Sequence, residues 1–252
     1  MDPLRLEIVK KMEKYYLDYK PSVWKKFLKS DGDLKDDFKS VWKTQYGGYY
    51  VDNTHVLSVL PTFKSPNTLI LPGIASDDED FQNEYIKTAN NILLNINDEV
   101  LNIDLRNTNG EKTGIIMAAI IPLFYLTKRK VLTHIVNRDG YYRTDLVRYD
   151  NCIISKINET GACGSRKSIE NPPNRINVFI GTGTSGAGEQ VAIALIALRE
   201  VMEVMYIGEN TAGRTTSNVR MELSNGDIIE VPYGYMADFQ KSYYKKFCPD
   251  KK

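Results

Sequence analysis

The sequence is poor in histidine and cysteine and carries no excess of either charge. Only His55 and His134 represent histidine, and Cys152, Cys163 and Cys248 are the three cysteines in 252 residues. Cysteines so few and so scattered predict neither a disulfide framework nor a zinc site, so all three are read as free thiols and no metal is expected. Lys and Arg number 33 against 32 Asp and Glu, a net charge of +1. That balance speaks against a dedicated nucleic-acid binder, which shows a basic excess or stripe. No apolar run approaches the roughly 20 residues of a membrane span. The opening stretch MDPLRLEIVKKMEKYY is amphipathic and mixed in charge, unlike a signal or transit peptide, which predicts a soluble, intracellular protein.

What is present is a change of period along the chain. Residues 4–20 put Leu4, Ile8, Met12, Tyr15 and Tyr16 on one helical face. A second helix after Pro21, capped by Ser22, carries Val23, Trp24, Phe27 and Leu28, and a third is expected over 34–46. These helices predict a small helical subdomain, residues 1–46, ahead of a core over 47–252. From Gly47 onward strands are predicted at 49–60, 68–72, 100–105, 130–136, 176–180 and 205–207. Between them lie an acid-capped helix at 77–95, an almost wholly apolar helix at 113–126 and a helix at 189–201. A hairpin across Asn225-Gly226 joins 221–223 to 227–231, and 150–175 reads as irregular. Strands alternating with buried helices imply an α/β core.

The most informative stretch is RINVFIGTGTSGAGEQVAIALIAL, residues 175–198, in which a buried strand enters a glycine-rich turn that opens a helix. Amide groups at such a helix start can hold a phosphate or an oxyanion. Gly181-x-Gly183-x-x-Gly186 satisfies a dinucleotide-binding spacing, and Glu209 ends the next strand. The motif is weak alone and is followed by a hairpin instead of further strand–helix units. A dinucleotide-binding protein therefore stays an alternative reading.

Three further segments carry a resemblance. VLNIDLRNTNGEKTGIIMAAIIPLF (100–124), TSGAGEQVAIAL (184–195) and IGENTAGR (207–214), with Phe247-Cys248-Pro249-Asp250 near the end, resemble in order the motifs of the C-terminal processing, or tail-specific, serine protease family. The likeness is greatest to the branch without a PDZ insertion, akin to tricorn-core and retinoid-binding-protein-like modules. It implies a ClpP–crotonase-like α/β core, polypeptide substrates or ligands, and no cofactor. It also implies a serine nucleophile at the helix start and an oxyanion hole of two backbone N–H groups, here Gly110 and Ala187. The family's second glycine after the DLR segment is Glu111.

Counting from Thr184 or back from Glu189, the nucleophile position falls on Gly186, which has no oxygen with which to form an acyl-enzyme. Ser185 could attack only if the turn shifts by one residue. The family's lysine base falls on Arg214, which stays protonated but could bind a substrate carboxylate. Asn53-Thr54-His55-Val56 resembles the D-x-H element of the histidine-using branch, making His55 the candidate base; His134, within a strand, is read as structural. Glu209 is a candidate orienting group. The resemblance thus implies a serine-type peptidase-like protein in which hydrolysis is compromised, with a non-enzymatic peptide or apolar-ligand binding module as the alternative.

Overall fold

A computed structural model describes residues 2–41, 58–64, 67–157 and 159–251. In chain order the elements are α1 (Pro3–Tyr15), α2 (Pro21–Lys29), α3 (Leu34–Val41), β1 (Thr62–Lys64), β2 (Thr68–Ile70), α4 (Glu79–Leu94) and β3 (Val100–Asp104). There follow α5 (Thr113–Ala119), α6 (Ile121–Phe124), β4 (Thr133–Asn137), β5 (Tyr142–Thr144), β6 (Leu146–Tyr149), β7 (Cys152–Ser155) and β8 (Gly161–Cys163). The chain closes with β9 (Arg175–Ile180), α7 (Ala187–Leu195), a 3-10 turn (Ile196–Glu200), β10 (Glu203–Gly208), β11 (Thr216–Glu222) and β12 (Ile228–Asp238). It is an α/β protein. Of the strand expected at 49–60, residues 49–57 lie outside the described residues, as do His55 and the 46/47 boundary, and residues 58–60 are not strand.

The chain forms two compact units. One comprises 1–53, 136–141 and 216–235, the other 54–135, 142–215 and 236–252. In the first, the amphipathic faces of α1–α3 close on the β11–β12 hairpin. Ile8, Met12, Trp24, Phe27 and Phe38 pack in one cluster with Met221, Leu223, Ile229 and Val231. Trp24 stands at its centre, edge-on to Tyr16 and Phe27. Buried Arg5 is neutralised by Asp37 at 2.6 Å and donates to the carbonyls of Phe27 and Gly32, so its charge is both paired and hydrogen-bonded. Ser22 does not cap α2. The helix starts with Pro21 at its first position, where a missing N–H is harmless, and its cap Lys20 makes no side-chain bond.

The second unit is built on a five-stranded sheet in the order β1-β2-β3-β9-β10. Strands β2, β3, β9 and β10 run parallel, and β1 turns back antiparallel at one edge. The apolar helix expected over 113–126 is interrupted at Ile120 between α5 and α6. Pro122 explains the break: it has no N–H to give the carbonyl four residues back, and Asn90 of α4 supplies the bond instead. The Asn90 amide nitrogen donates to the carbonyls of Ala118, at 3.1 Å, and Ala119, at 2.6 Å.

Within the stretch 150–175 read as irregular, β7 and β8 are strands that join β6 in an antiparallel sheet in the order β6-β7-β8, whereas 164–174 carries no strand or helix. The register puts Cys152 opposite Cys163, and the two are joined in a disulfide, so only Cys248 is a free thiol. This corrects the expectation of three free thiols. Spacing alone does not reveal that two cysteines 11 residues apart become cross-strand neighbours.

Candidate active site

Ligand sites of parallel α/β sheets lie beyond the carboxyl ends of the strands. Strands β3 and β9 are neighbours, so the loop after β3 and the turn after β9 emerge side by side. Hydrogen bonds lace them together. Thr184 donates its hydroxyl to the Leu105 carbonyl at 2.7 Å, and the Ser185 N–H donates to the Thr108 carbonyl at 3.0 Å. Thr108 is held in turn by its hydroxyl, which donates to the Leu71 carbonyl at the end of β2. Asp104 at the end of β3 takes three bonds from Arg106, one backbone and two side-chain. Burial works to raise the Asp104 pKa, but the Arg106 guanidinium prevails and holds it below the usual carboxylate value.

The glycines of the turn are explained by this close approach. A Cβ on Gly183 would collide with the Arg106 carbonyl oxygen, and one on Gly188 with the Thr108 carbonyl oxygen. Gly186 caps α7 with φ 55° and ψ −107°, a sharp strand-to-helix bend in a region that side chains rarely enter.

Glu189, in the first turn of α7, anchors the third segment. Its carboxylate accepts the Gly186 N–H at 3.2 Å, the Gly213 N–H at 2.7 Å and the Thr211 hydroxyl. Burial raises its pKa, against the pull of hydrogen bonds from the Thr211 hydroxyl and from the backbone N–H groups of Gly213, Gly186 and Arg214. The Ala212 N–H adds a 3.0 Å bond to the Thr184 carbonyl. Loop 209–214 is thereby fixed against the glycine bend.

Most of the residues singled out in the sequence come together here. Gly186 is at the bend. Buried Ser185 precedes it, outside the left-handed φ region. Gly110 and Ala187 are neighbours, but the Ala187 N–H donates to the Gly110 carbonyl at 2.9 Å, so that donor is occupied. Arg214 and Glu209 are exposed at the ends of the third segment, with the Glu209 N–H donating to the Ile180 carbonyl at 3.1 Å. His134 is buried in β4; burial foremost, then the charge of Lys241, lowers its pKa.

Sequence reasoning missed a buried polar cluster beside Glu189. Asp145 accepts the Ser155 hydroxyl at 2.7 Å and the side-chain amide of Gln190. Its pKa is raised by burial, against the pull of those two bonds. The available signal was Gln190 itself, a polar residue in an otherwise apolar helix. Among the described residues no group of three or more His, Cys, Asp or Glu side chains is placed to hold a metal ion. No helix among them is long and apolar enough to cross a membrane.

A parallel α/β sheet whose β3 loop and β9 turn meet at a glycine bend is the architecture expected of a serine-peptidase-like core. Residues 61–246 match the family model described as Peptidase family S41, and the chain belongs to that family. The nisin-resistance protein of Lactococcus lactis subsp. lactis is 24% identical over 183 residues, 72% of this chain and 54% of the relative. The chain thus spans about half the length of that curated relative. A lipoprotein from Streptococcus agalactiae superposes with a TM-score of 0.70 over 100% of this chain and 92% of its own, at 18% identity, and has the same fold. The photosystem II D1 C-terminal processing protease overlaps 78% of this chain and 45% of its own, at 19% identity and a TM-score of 0.48.

Proposed function

We propose that the chain is a polypeptide-recognising member of its family in which hydrolysis is lost. The observation that carries this reading is Gly186. It stands at the bend where β9 enters α7, three residues before the buried Glu189, and offers no hydroxyl for attack. Ser185 is a poor substitute. Its N–H is engaged by Thr108 and its backbone lies outside the strained bend. Arg214 in the position of a lysine base cannot accept a proton, but its exposed guanidinium suits the C-terminal carboxylate of a peptide. A ClpP–crotonase-like core belongs to the same reading, with Gly110 and Ala187 at the oxyanion position, where the Ala187 amide is taken by the Gly110 carbonyl, and His55 as its remaining base. So does the division at residue 46 into a helical leader and a core.

The Cys152–Cys163 disulfide favours an oxidising compartment over the intracellular location that the opening residues suggest. The relative's name makes nisin the first peptide to try.

Fluorescence anisotropy with nisin and with a panel of labelled peptides, each with a free or amidated C-terminus, tests the proposal. The expected result is saturable binding of at least one peptide, weaker when amidated, with no product in mass spectra of the same samples. Turnover abolished by Ser185→Ala would overturn it, and so would the absence of binding across the panel.

A further inference from the structure

Ala187 opens α7, and the first N–H groups of a helix have no partner within it. In the site of an acting peptidase such a group would face the substrate; here it is taken by the Gly110 carbonyl at 2.9 Å, and Ala187 is only 2% exposed, so water does not compete for it. The same carbonyl governs the adjacent position. A Cβ built on Gly186 stands 2.8 Å from the Gly110 oxygen, an approach that real Cβ atoms essentially never make, and the obstructing atom is backbone.

We propose that the Gly110 carbonyl and a side chain at position 186 exclude one another, so that this chain, having glycine at 186, holds its amide site shut by a contact of its own. Loss of the attacking group and closure of the site are then one event seen from two sides. Turning over the 110–111 peptide would withdraw the carbonyl and present the Glu111 N–H in its place. That rotation changes ψ of residue 110 and φ of residue 111 together. Gly110 already has φ +93° and tolerates the change. Residue 111 is a glutamate outside the positive-φ region, and the rotation would drive it there, where its Cβ is unfavourable. Glu111, together with the parallel bridge that ties Gly110 to Ile74, therefore acts as the lock and Gly186 as the vacancy into which the carbonyl fits.

Amide hydrogen exchange at Ala187, read by NMR with no ligand present, tests the closure. In the unaltered protein this amide is expected to be protected well beyond an unbonded helix-start amide. Gly186→Ala displaces the carbonyl and Glu111→Gly frees the peptide to turn, so each is expected to speed Ala187 exchange by at least about tenfold. The amides of Leu101 and Ile176 in the central sheet should keep their rates, which reports an intact fold. An unprotected Ala187 in the unaltered protein would overturn the proposal. So would unchanged protection in either folded variant. Should Gly186→Ala fail to fold, Glu111→Gly and the unaltered protein decide the matter. The proposal takes its meaning from the reading of position 186 as the nucleophile site but is measured apart from it. Peptide binding without cleavage would survive a failed closure, and closure would survive a failure to bind peptide.

Discussion

The backbone N–H of Gly213 donates to the Glu189 carboxylate at 2.7 Å, joining the loop that carries Arg214 to the helix that begins at the glycine bend. Because Glu189 is fully buried, its carboxylate has no water to fall back on, and every donor around it matters.

Thr211→Val is therefore expected to destabilise the protein. The hydroxyl of Thr211 donates to Glu189 and accepts the Phe247 N–H at 3.2 Å. Valine keeps the shape and removes both partners. Leaving buried polar groups unpaired costs about 1–3 kcal/mol each, so a fall in stability of at least that size should appear in urea titration. Thr211→Ser, which retains the oxygen, should recover most of it. A Thr211→Val protein as stable as the parent would show that Glu189 does not depend on this bond.

Asp145 predicts a pH signature. Its burial raises its pKa above the ordinary 3.8, so the folded chain binds this proton more tightly than the unfolded chain. Stability from such a group is complete below the unfolded value and is lost as pH rises through the folded one. Asp145→Asn keeps two polar atoms for Ser155 and for a turned Gln190 amide but cannot ionise. The difference in Tm between variant and parent should shift in the variant's favour as pH climbs above 3.8. Glu189, raised in the same direction from 4.5, is present in both proteins and drops out of the difference. A difference that stays flat with pH would remove the basis for this account of the cluster.

Two glycine substitutions should move stability in opposite directions. Gly188→Ala drives a Cβ into the Thr108 carbonyl, and overpacking of this kind costs about 1–3 kcal/mol or more. Gly114, inside α5, has nothing within 4 Å of an added Cβ and no positive φ. Gly114→Ala should stabilise by about 0.4–1 kcal/mol, chiefly by restricting the unfolded chain. Chemical denaturation of the pair checks both signs at once.

Thiol titration of the denatured, unreduced protein should find Cys248 alone, and reduction should release Cys152 and Cys163 as well. Cys163→Ser should lower stability by about 2–4 kcal/mol, the usual range for losing a native disulfide. Three titratable thiols before reduction would contradict the bond.

The parallel core was legible because its strands bury every second residue, as β9 does at Ile176, Val178 and Ile180, and are separated by helices of clear period. β3, β9 and α4 appear within two residues of their expected ends. The segments around Gly110, Gly186 and Gly213 were legible as motifs, and their assembly follows from the adjacency of β3 and β9. Strands β5–β8 were not legible: each has only three or four residues and a mixed burial pattern, leaving too little periodicity to detect. Their register created the disulfide and placed Ser155 beside Asp145. The interruption of the apolar helix was written in Pro122, but the partner that makes it tolerable, Asn90, lies in a different helix. The orientation of the Gly110 carbonyl depends on backbone angles, which no residue type dictates.

The most direct test of the central claim, that the bend at residue 186 is a peptidase site without its attacking group, is labelling by a serine-directed fluorophosphonate. The account predicts no labelling of the folded parent and labelling of Gly186→Ser, whose side chain both supplies the hydroxyl and displaces the Gly110 carbonyl. Labelling of the parent that disappears in Ser185→Ala would contradict it, since the attacking hydroxyl would then be present one residue earlier.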